Sequence, residues 1–319
     1  MLNLQQDKLI ILSYYYIIMT EMISGVELKL SEPADVDMEW VGNEDLINEL
    51  KAAWMIVDEA DLPLNPRILG KPGVGKTTLA YAAGKRLGQD VYIFQCTMDT
   101  RPEDLLISPV IASDKRIAYV ASSLVSAMIK GGVCLLDEGN RMSEKSWASL
   151  APLMDKRRYV ESIIAGIRIY AHEDFRLCVT MNSDSSTFEV PEYIQSRLQP
   201  KIFVEFPNKA DELKILKYNL PFASDQILEY CVEFLQNSHK HEEPYTVRDG
   251  INIVRYYIKT RELQGKKKEG LHKKEFETAV SPVLEKAALK YLPGKYEKFI
   301  KEQEESASHN AHDDYDDGF

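Results

Sequence analysis

The chain has no apolar run long enough to cross a membrane as a helix. The stretch from Leu9 to Met19, within MLNLQQDKLIILSYYYIIMTEM, falls short of the roughly 20 residues that a bilayer core demands. It also lacks an A-x-A cleavage site and has only a weak basic region, which argues against a secretory signal peptide. A wrongly assigned start explains it better. Translation from Met19 or Met22 gives an ordinary soluble N-terminus, MTEMISGVELKL, and the intact mass of the natively expressed protein tells the two apart. Cysteine is scarce: Cys96, Cys134, Cys178 and Cys231 show neither CxxC nor Cys/His ligand spacing. A chain of 319 residues can bury a core without disulfides, and the first three cysteines lie in apolar runs that read as buried strands. A reducing, cytoplasmic location fits. Excess positive charge is missing too. The net charge is −11, and residues 301–319 contribute −6 of it through seven acids against one lysine. The mildly acidic remainder argues against broad, non-specific nucleic-acid binding, which runs on phosphate neutralisation. A local basic site stays open at GKKKEGLHKK, residues 265–274, although a lysine run reads more simply as a solvated loop.

What is present is an alternation of strand and helix patterns. RIL (67–69), VYIFQC (91–96), GVCLLD (132–137), FRLCVT (175–180) and KIFVEF (201–206) are short runs rich in β-branched or aromatic residues, most of them nearly continuous in apolar character. Strands covered on both faces look like this, so the spacing predicts an α/β fold with a parallel five-stranded sheet and helices on each face. Beyond Pro207 the strand signals stop. ADELKILKYNL, DQILEYCVEFLQ and RDGINIVRYYIKT place apolar residues at helical spacing, which predicts a small all-helical domain. The expected division is an N-terminal extension over 1–39, a nucleotide-binding α/β domain over 40–207, a helical lid over 208–300 and an acidic tail over 301–319. The tail has the composition of disorder and reads as a solubilising end or a partner tether.

GKPGVGKTT follows the first strand pattern and precedes a helical one, LAYAAGKRLG. Gly70-x-x-x-x-Gly75-Lys76-Thr77 in that setting is a phosphate-binding loop. Its glycines let backbone N–H groups wrap an anion, Lys76 can reach the β and γ phosphates, and the Thr77 hydroxyl can hold Mg²⁺. Gly70, Pro72, Gly73, Val74, Gly75, Lys76, Thr77 and Thr78 are therefore the candidate nucleotide contacts. The run GGVCLLDEGNR (131–141) ends a strand in two carboxylates. Asp137 can join Thr77 in the Mg²⁺ shell, and Glu138 can orient or deprotonate an attacking water. Adjacent residues of a strand point opposite ways, so the chain must turn at the strand's end to aim both at one site. Glu138 argues for hydrolysis rather than mere binding.

With both motifs placed, the chain resembles the AAA+ ATPases and, within them, the MoxR-like group that shades into the NorQ/CbbQ and dynein-related or midasin-type ATPases. The match covers most of residues 40–260. VGNEDLINELKAA (41–53) is similar to the family segment near the adenine, which implies that Val41 and Gly42 lie there. QCTMDTRPEDLL (95–106) resembles the stretch before the family's characteristic insertion, and SEKSWASLAPLMDKRRYV (143–160) the helix leading into a hairpin, roughly residues 161–177. LLDEGNR carries the Asp-Glu-x-Asn-Arg pattern with Gly139 where an apolar residue is usual, which puts local strand packing in doubt. In TMNSD, Asn182 matches the asparagine that positions water near the γ phosphate. PEYIQSRLQPKIFVEF (191–206) resembles the box that ends in an arginine finger, with Arg197 at that position and Leu198 where Phe is usual. Arg157 and Arg158 are further candidates for contacts across a subunit interface. EEPYTVRDGINIVRYYI (242–258) resembles the start of the lid helix bearing the second sensor, which makes Arg248 that residue and Thr246 a helix N-cap. His172, before an apolar strand, reads as a hairpin or packing histidine, since no second ligand has suitable spacing.

The resemblance implies a homo-oligomeric ring, a hexamer, in which ATP meets Lys76 and Arg248 of one subunit and Arg197 of the next. It also implies that hydrolysis remodels or matures a protein client, often one of von Willebrand factor A type. Two other readings stay open: a DNA-associated motor or loader, against which the acidic body counts, and a nucleotide-gated scaffold with little hydrolysis, against which Glu138 counts.

Overall fold

The computed structural model describes residues 19–112, 115–182, 189–266 and 270–303. The expected false start over 1–18, the acidic tail beyond 303 and the centre of the lysine-rich segment, 267–269, lie outside the described residues. The chain forms two compact units. One comprises residues up to Trp40, Glu44–Gly70 and Gly75–Val204; the other comprises Val41–Asn43, Lys71–Val74 and the chain from Glu205 onward.

The first unit is built on five parallel strands, β3 (Arg67–Gly70), β4 (Val91–Gln95), β7 (Val133–Asp137), β10 (Arg176–Asn182) and β11 (Lys201–Phe203), ordered β11-β3-β10-β7-β4. This is the parallel sheet that the apolar runs predict. Period-two alternation divides its side chains between two helical layers. Tyr92, Cys134, Leu136, Leu177 and Val179 join a buried cluster with Leu124, Val125 and Met128 of the helix Ser123–Lys130. On the opposite face Val91 and Val133 meet Gly84 of the helix Lys76–Arg86. An amphipathic helix over Glu44–Trp54 buries Ile47, Leu50, Ala53 and Trp54, and the Trp54 indole N–H donates to the Leu177 carbonyl at 3.0 Å.

A second sheet was not expected. A hairpin of β1 (Thr20–Ile23) and β2 (Val26–Lys29) pairs through β2 with β6 (Ile117–Ala121), which pairs with β5 (Ile107–Ile111), in the order β1-β2-β6-β5. Its strands of four or five residues are about half exposed, and β5 contains Pro109, which suits an edge strand but hides it from pattern reading. The expected later hairpin is β8 (Tyr159–Ser162) with β9 (Ile167–Tyr170). All four cysteines are buried, and burial pushes the thiols of Cys96, Cys134, Cys178 and Cys231 well up from their ordinary value.

The second unit is helical. Helices Lys209–Asn219, Asp225–His239, Val247–Leu263 and Lys273–Val283 close around Leu216, Phe234, Val254, Tyr257 and Phe276. Asn208 caps the first, its side-chain oxygen accepting from Ala210 N and Asp211 N at 3.0 Å each. The third opens at Thr246, whose backbone N–H donates to the Asp249 carboxylate at 2.8 Å, the reciprocal arm of a capping box. Lys266, at the edge of the lysine-rich segment, pairs with Glu275, and Lys273 lies 5.7 Å from the Tyr230 ring centre. Among the described residues no helix is long and apolar enough to cross a membrane.

Candidate nucleotide site

In a parallel sheet the C-terminal strand ends share one edge, where open α/β folds bind ligands. Register fixes who meets there: Asn182 pairs with Gly70 across β10 and β3, and Gln95 pairs with Asp137 across β4 and β7. From Gly70 the chain turns through Gly73 (φ 83°) and Gly75 (φ 98°) into the helix that begins at Lys76. Both are left-handed conformations that side chains resist. At Gly75 a β-carbon would also lie 3.3 Å from the Trp40 ring. The Lys76 ammonium, buried at 6% exposure, donates to the Gly70 carbonyl at 3.0 Å, so the cation is folded back over its own loop. Lys71 and Gly73 belong to the helical unit. Lys71 donates to the Glu242 carbonyl at 2.9 Å, and a β-carbon at Gly73 would meet the Thr246 hydroxyl at 2.6 Å.

Beside the loop, the Thr77 hydroxyl donates to Asp137 at 2.9 Å and 3.1 Å from its two carboxylate oxygens, and Thr180 donates to Asp137 as well. The required turn occurs at Glu138, whose backbone is left-handed at φ 56°, a conformation costing a non-glycine residue roughly 1 kcal/mol. Thr180 secures it, since its hydroxyl oxygen accepts the Glu138 N–H at 3.0 Å. The Glu138 carboxylate then accepts from the Asn182 amide at 3.0 Å and from Gln95 at 3.4 Å, and pairs with Arg141 at 2.6 Å. Asn140 completes the lattice: its amide donates to the Asn182 carbonyl at 2.8 Å and its oxygen accepts Asn182 N at 3.3 Å.

The structure therefore gathers Gly70, Lys76, Thr77, Asp137, Glu138 and Asn182. Pro72, Val74 and Thr78 follow on the loop and the first helical turn, Pro72 exposed. Thr180 was missed by sequence reasoning; its signal is that a strand's period of two puts it on the same face as Asn182. Gly139 finds its reason here. A β-carbon there would lie 2.4 Å from Val179 Cγ1 and 3.3 Å from the Trp147 ring, so the space an apolar side chain would fill is already taken. Arg197 keeps other company, donating to the Tyr193 carbonyl at 2.5 Å and lying 3.8 Å from Asp155. Arg158 donates to the His172 and Phe175 carbonyls, and the His172 ring accepts from Asp174 N at 3.1 Å, a local turn bond. Val41 and Gly42 fall in the helical unit with Arg248, an exposed residue in the first turn of the helix Val247–Leu263.

The donor set fits a nucleoside triphosphate with a divalent cation. A glycine turn feeding a helix start, together with a buried ammonium, suits a polyphosphate. A hydroxyl and a carboxylate held 2.9 Å apart suit Mg²⁺, which prefers oxygen ligands and binds through few carboxylates.

A model of the AAA domain of the dynein-related subfamily matches residues 67–198, which span the sheet edge from the first strand to the box around Arg197. The chain is 26% identical to the uncharacterized protein YeaC of Bacillus subtilis over 53% of its own length and 60% of that protein. It is 28% identical to protein MoxR of Paracoccus denitrificans over 49% of its length and 45% of that protein. The aligned part thus spans about half of these relatives. Among solved structures, a mutant form of RuvB from Thermotoga maritima superposes with a TM-score of 0.53 at 15% identity, covering 76% of this chain and 71% of that one, a likeness of fold.

Proposed function

We propose that the chain is a AAA+ ATPase of the MoxR-like group, supported by the matched AAA domain and the similarity to MoxR and YeaC, and that it hydrolyses ATP with Mg²⁺ in a cytoplasmic homo-oligomeric ring, a hexamer, and uses the cycle to remodel or mature a protein client. The observation that carries this is the Glu138–Asn182 contact at 3.0 Å beside the Thr77–Asp137 pair. A site built only to bind phosphate has no use for a carboxylate strained into position and held by an amide.

In this reading the glycine loop and Lys76 bind the triphosphate, with Val41 and Gly42 near the base. Thr77 and Asp137 hold Mg²⁺, which supplies charge neutralisation to the phosphates. Glu138 orients the attacking water and accepts its proton, and Asn182 keeps both carboxylate and water in place. Arg248 reads the terminal phosphate from the helical unit. Arg197 acts on the ATP of a neighbouring copy, where such a finger is worth about 10³–10⁵ in rate. The exposed apolar residues of the β8–β9 hairpin, Ile163 at 93% and Ile164 at 42%, suit contact with a client, a von Willebrand factor A-type protein by resemblance. The RuvB likeness is one of fold and is not carried over to a DNA substrate.

The test is ATPase rate against protein concentration for the wild type, Arg197→Ala, Lys76→Ala and an equimolar mixture of the two variants. Turnover that rises steeply with concentration, with both variants inactive and the mixture partly active, is expected. Concentration-independent turnover that survives Arg197→Ala would end the ring reading.

A further inference from the structure

Between the helix Glu144–Leu150 and β8 the chain passes through turns in which Asp155 faces two arginines. Arg157 grips it as a fork, Nη2 donating to one carboxylate oxygen at 2.7 Å and Nε to the other at 3.0 Å, with its backbone N–H adding a third bond at 3.0 Å. These bonds hold the Asp155 carboxyl below the usual carboxylate range, with the charge of Arg197 adding to the effect. Arg197 relates to it differently. Its Nη2 stands 3.8 Å from Asp155, close enough for charge attraction and too far for a hydrogen bond. Two other groups of Arg197 are tied down. Its Nη1 donates to the Tyr193 carbonyl at 2.5 Å, and its own carbonyl accepts from the Asn65 amide at 3.4 Å. The same amide donates to the Met154 carbonyl at 3.3 Å, stapling the backbone next to Asp155 to that of Arg197. Arg197 Nε is buried without a hydrogen-bond partner among the described residues.

We propose that Asp155, clamped by Arg157, is a positioning residue for Arg197. It sets the resting direction of the guanidinium by charge alone and leaves the hydrogen-bond donors on that side free for an anion presented by a neighbouring copy. The inference rests on the reading of Arg197 as a group that acts in trans. A hydrogen-bonded carboxylate would have to be stripped away before a phosphate could bind, whereas one held 3.8 Å off orients the arginine without occupying it. Arg157 is in this view a support for Asp155, with no contact of its own with the nucleotide.

The experiment is steady-state ATPase on the full chain at a protein concentration where specific activity has levelled off. Asp155→Asn should lower kcat by about tenfold while shifting KM for ATP less than about twofold, because the group it places acts on the transition state. Asp155→Glu should recover most of the loss. Combined with Arg197→Ala, Asp155→Asn should cost less than about twofold more, as expected of two residues that work through one contact. If Asp155→Asn lowers the melting temperature by more than about 5 °C, the Arg157→Lys variant, which weakens the fork and keeps the carboxylate, must show the same kcat loss. A loss of equal size in the Arg197→Ala background would make Asp155 merely structural and overturn the proposal, as would a rise in KM at constant kcat. Unchanged kinetics of Asp155→Asn beside an inactive Arg197→Ala would overturn this inference alone. An unaffected Arg197→Ala would overturn the trans reading and this inference with it.

Discussion

Thr180 shows how much one hydroxyl can hold together: it donates to Asp137 and accepts from Glu138 N at 3.0 Å, so it fixes both carboxylates of the site. Thr180→Val keeps the shape and removes both bonds. Leaving a buried N–H unpaired costs about 1–3 kcal/mol, so lower thermal stability and a kcat loss of roughly tenfold should appear together. Glu138→Gln should behave otherwise. It keeps a partner for the Asn182 amide but cannot take a proton, so turnover should fall by about 10²–10⁴ while fluorescent-ATP binding persists; an unchanged turnover would revive the scaffold reading. Gly139→Ala forces a β-carbon to within 2.4 Å of Val179, an overpacking that costs about 1–3 kcal/mol. Adding Val179→Ala should return part of that stability in a denaturant titration.

At the scale of elements, the helix Lys209–Asn219 carries a conflict. Glu212 is fully buried, its Oε2 accepts from Gln236 at 2.8 Å and its Oε1 has no hydrogen-bond partner among the described residues. The same Gln236 amide also donates to the Pro207 carbonyl at 3.1 Å, so the carboxyl belongs to the packing between the first two helices of the unit. Burial pushes its pKa up to about 7 from the ordinary 4.5, against the smaller opposing effect of Gln236. The sign follows from linkage. The folded state prefers the neutral acid, so the contribution to stability is full below about pH 4.5 and is lost as pH rises through about 7. Glu212→Gln should flatten the pH dependence of the melting temperature across that window and raise stability above it by on the order of 1–3 kcal/mol. A variant curve parallel to the wild type would show that another group titrates there. The helix Val247–Leu263 depends on its N-terminus, where Asp249→Ala should cost about 0.5–2 kcal/mol in unfolding free energy by removing the reciprocal arm of the capping box.

For the whole molecule, the proposed ring makes assembly part of catalysis. A Glu138→Gln chain loaded with ATP should sediment as a single large species that dissociates once nucleotide is removed, because a partner that binds only the loaded state shifts the equilibrium by mass action. A monomer under both conditions would contradict the ring. The β8–β9 hairpin gives a second handle on the molecule. Ile163→Asp should leave basal ATPase near the wild-type rate and abolish any stimulation by a client.

Sequence alone determined the parallel sheet and the identity of the loop and strand-end groups, because continuous apolar strands and a glycine loop at a helix start depend on local spacing that a reader can count. Lys76, Thr77, Asp137, Glu138 and Asn182 were all visible as types at the right distance along the chain. Tertiary structure alone decided how they meet. The register of Asn182 against Gly70 and the left-handed turn at Glu138 each need a neighbour strand to exist. So does the bridging by Thr180, which ties β10 to the Asp137 carboxylate and to the Glu138 N–H just past the end of β7. The second sheet escaped notice for the same reason. Its short, half-exposed strands, one with Pro109, are stable only because β2 and β6, about ninety residues apart along the chain, lie side by side. Gly139 read as an anomaly until Val179 and Trp147 were seen to fill its place. Contacts between residues distant along the chain leave no periodicity behind, which is why the chemistry of this site was legible in one dimension and its geometry only in three.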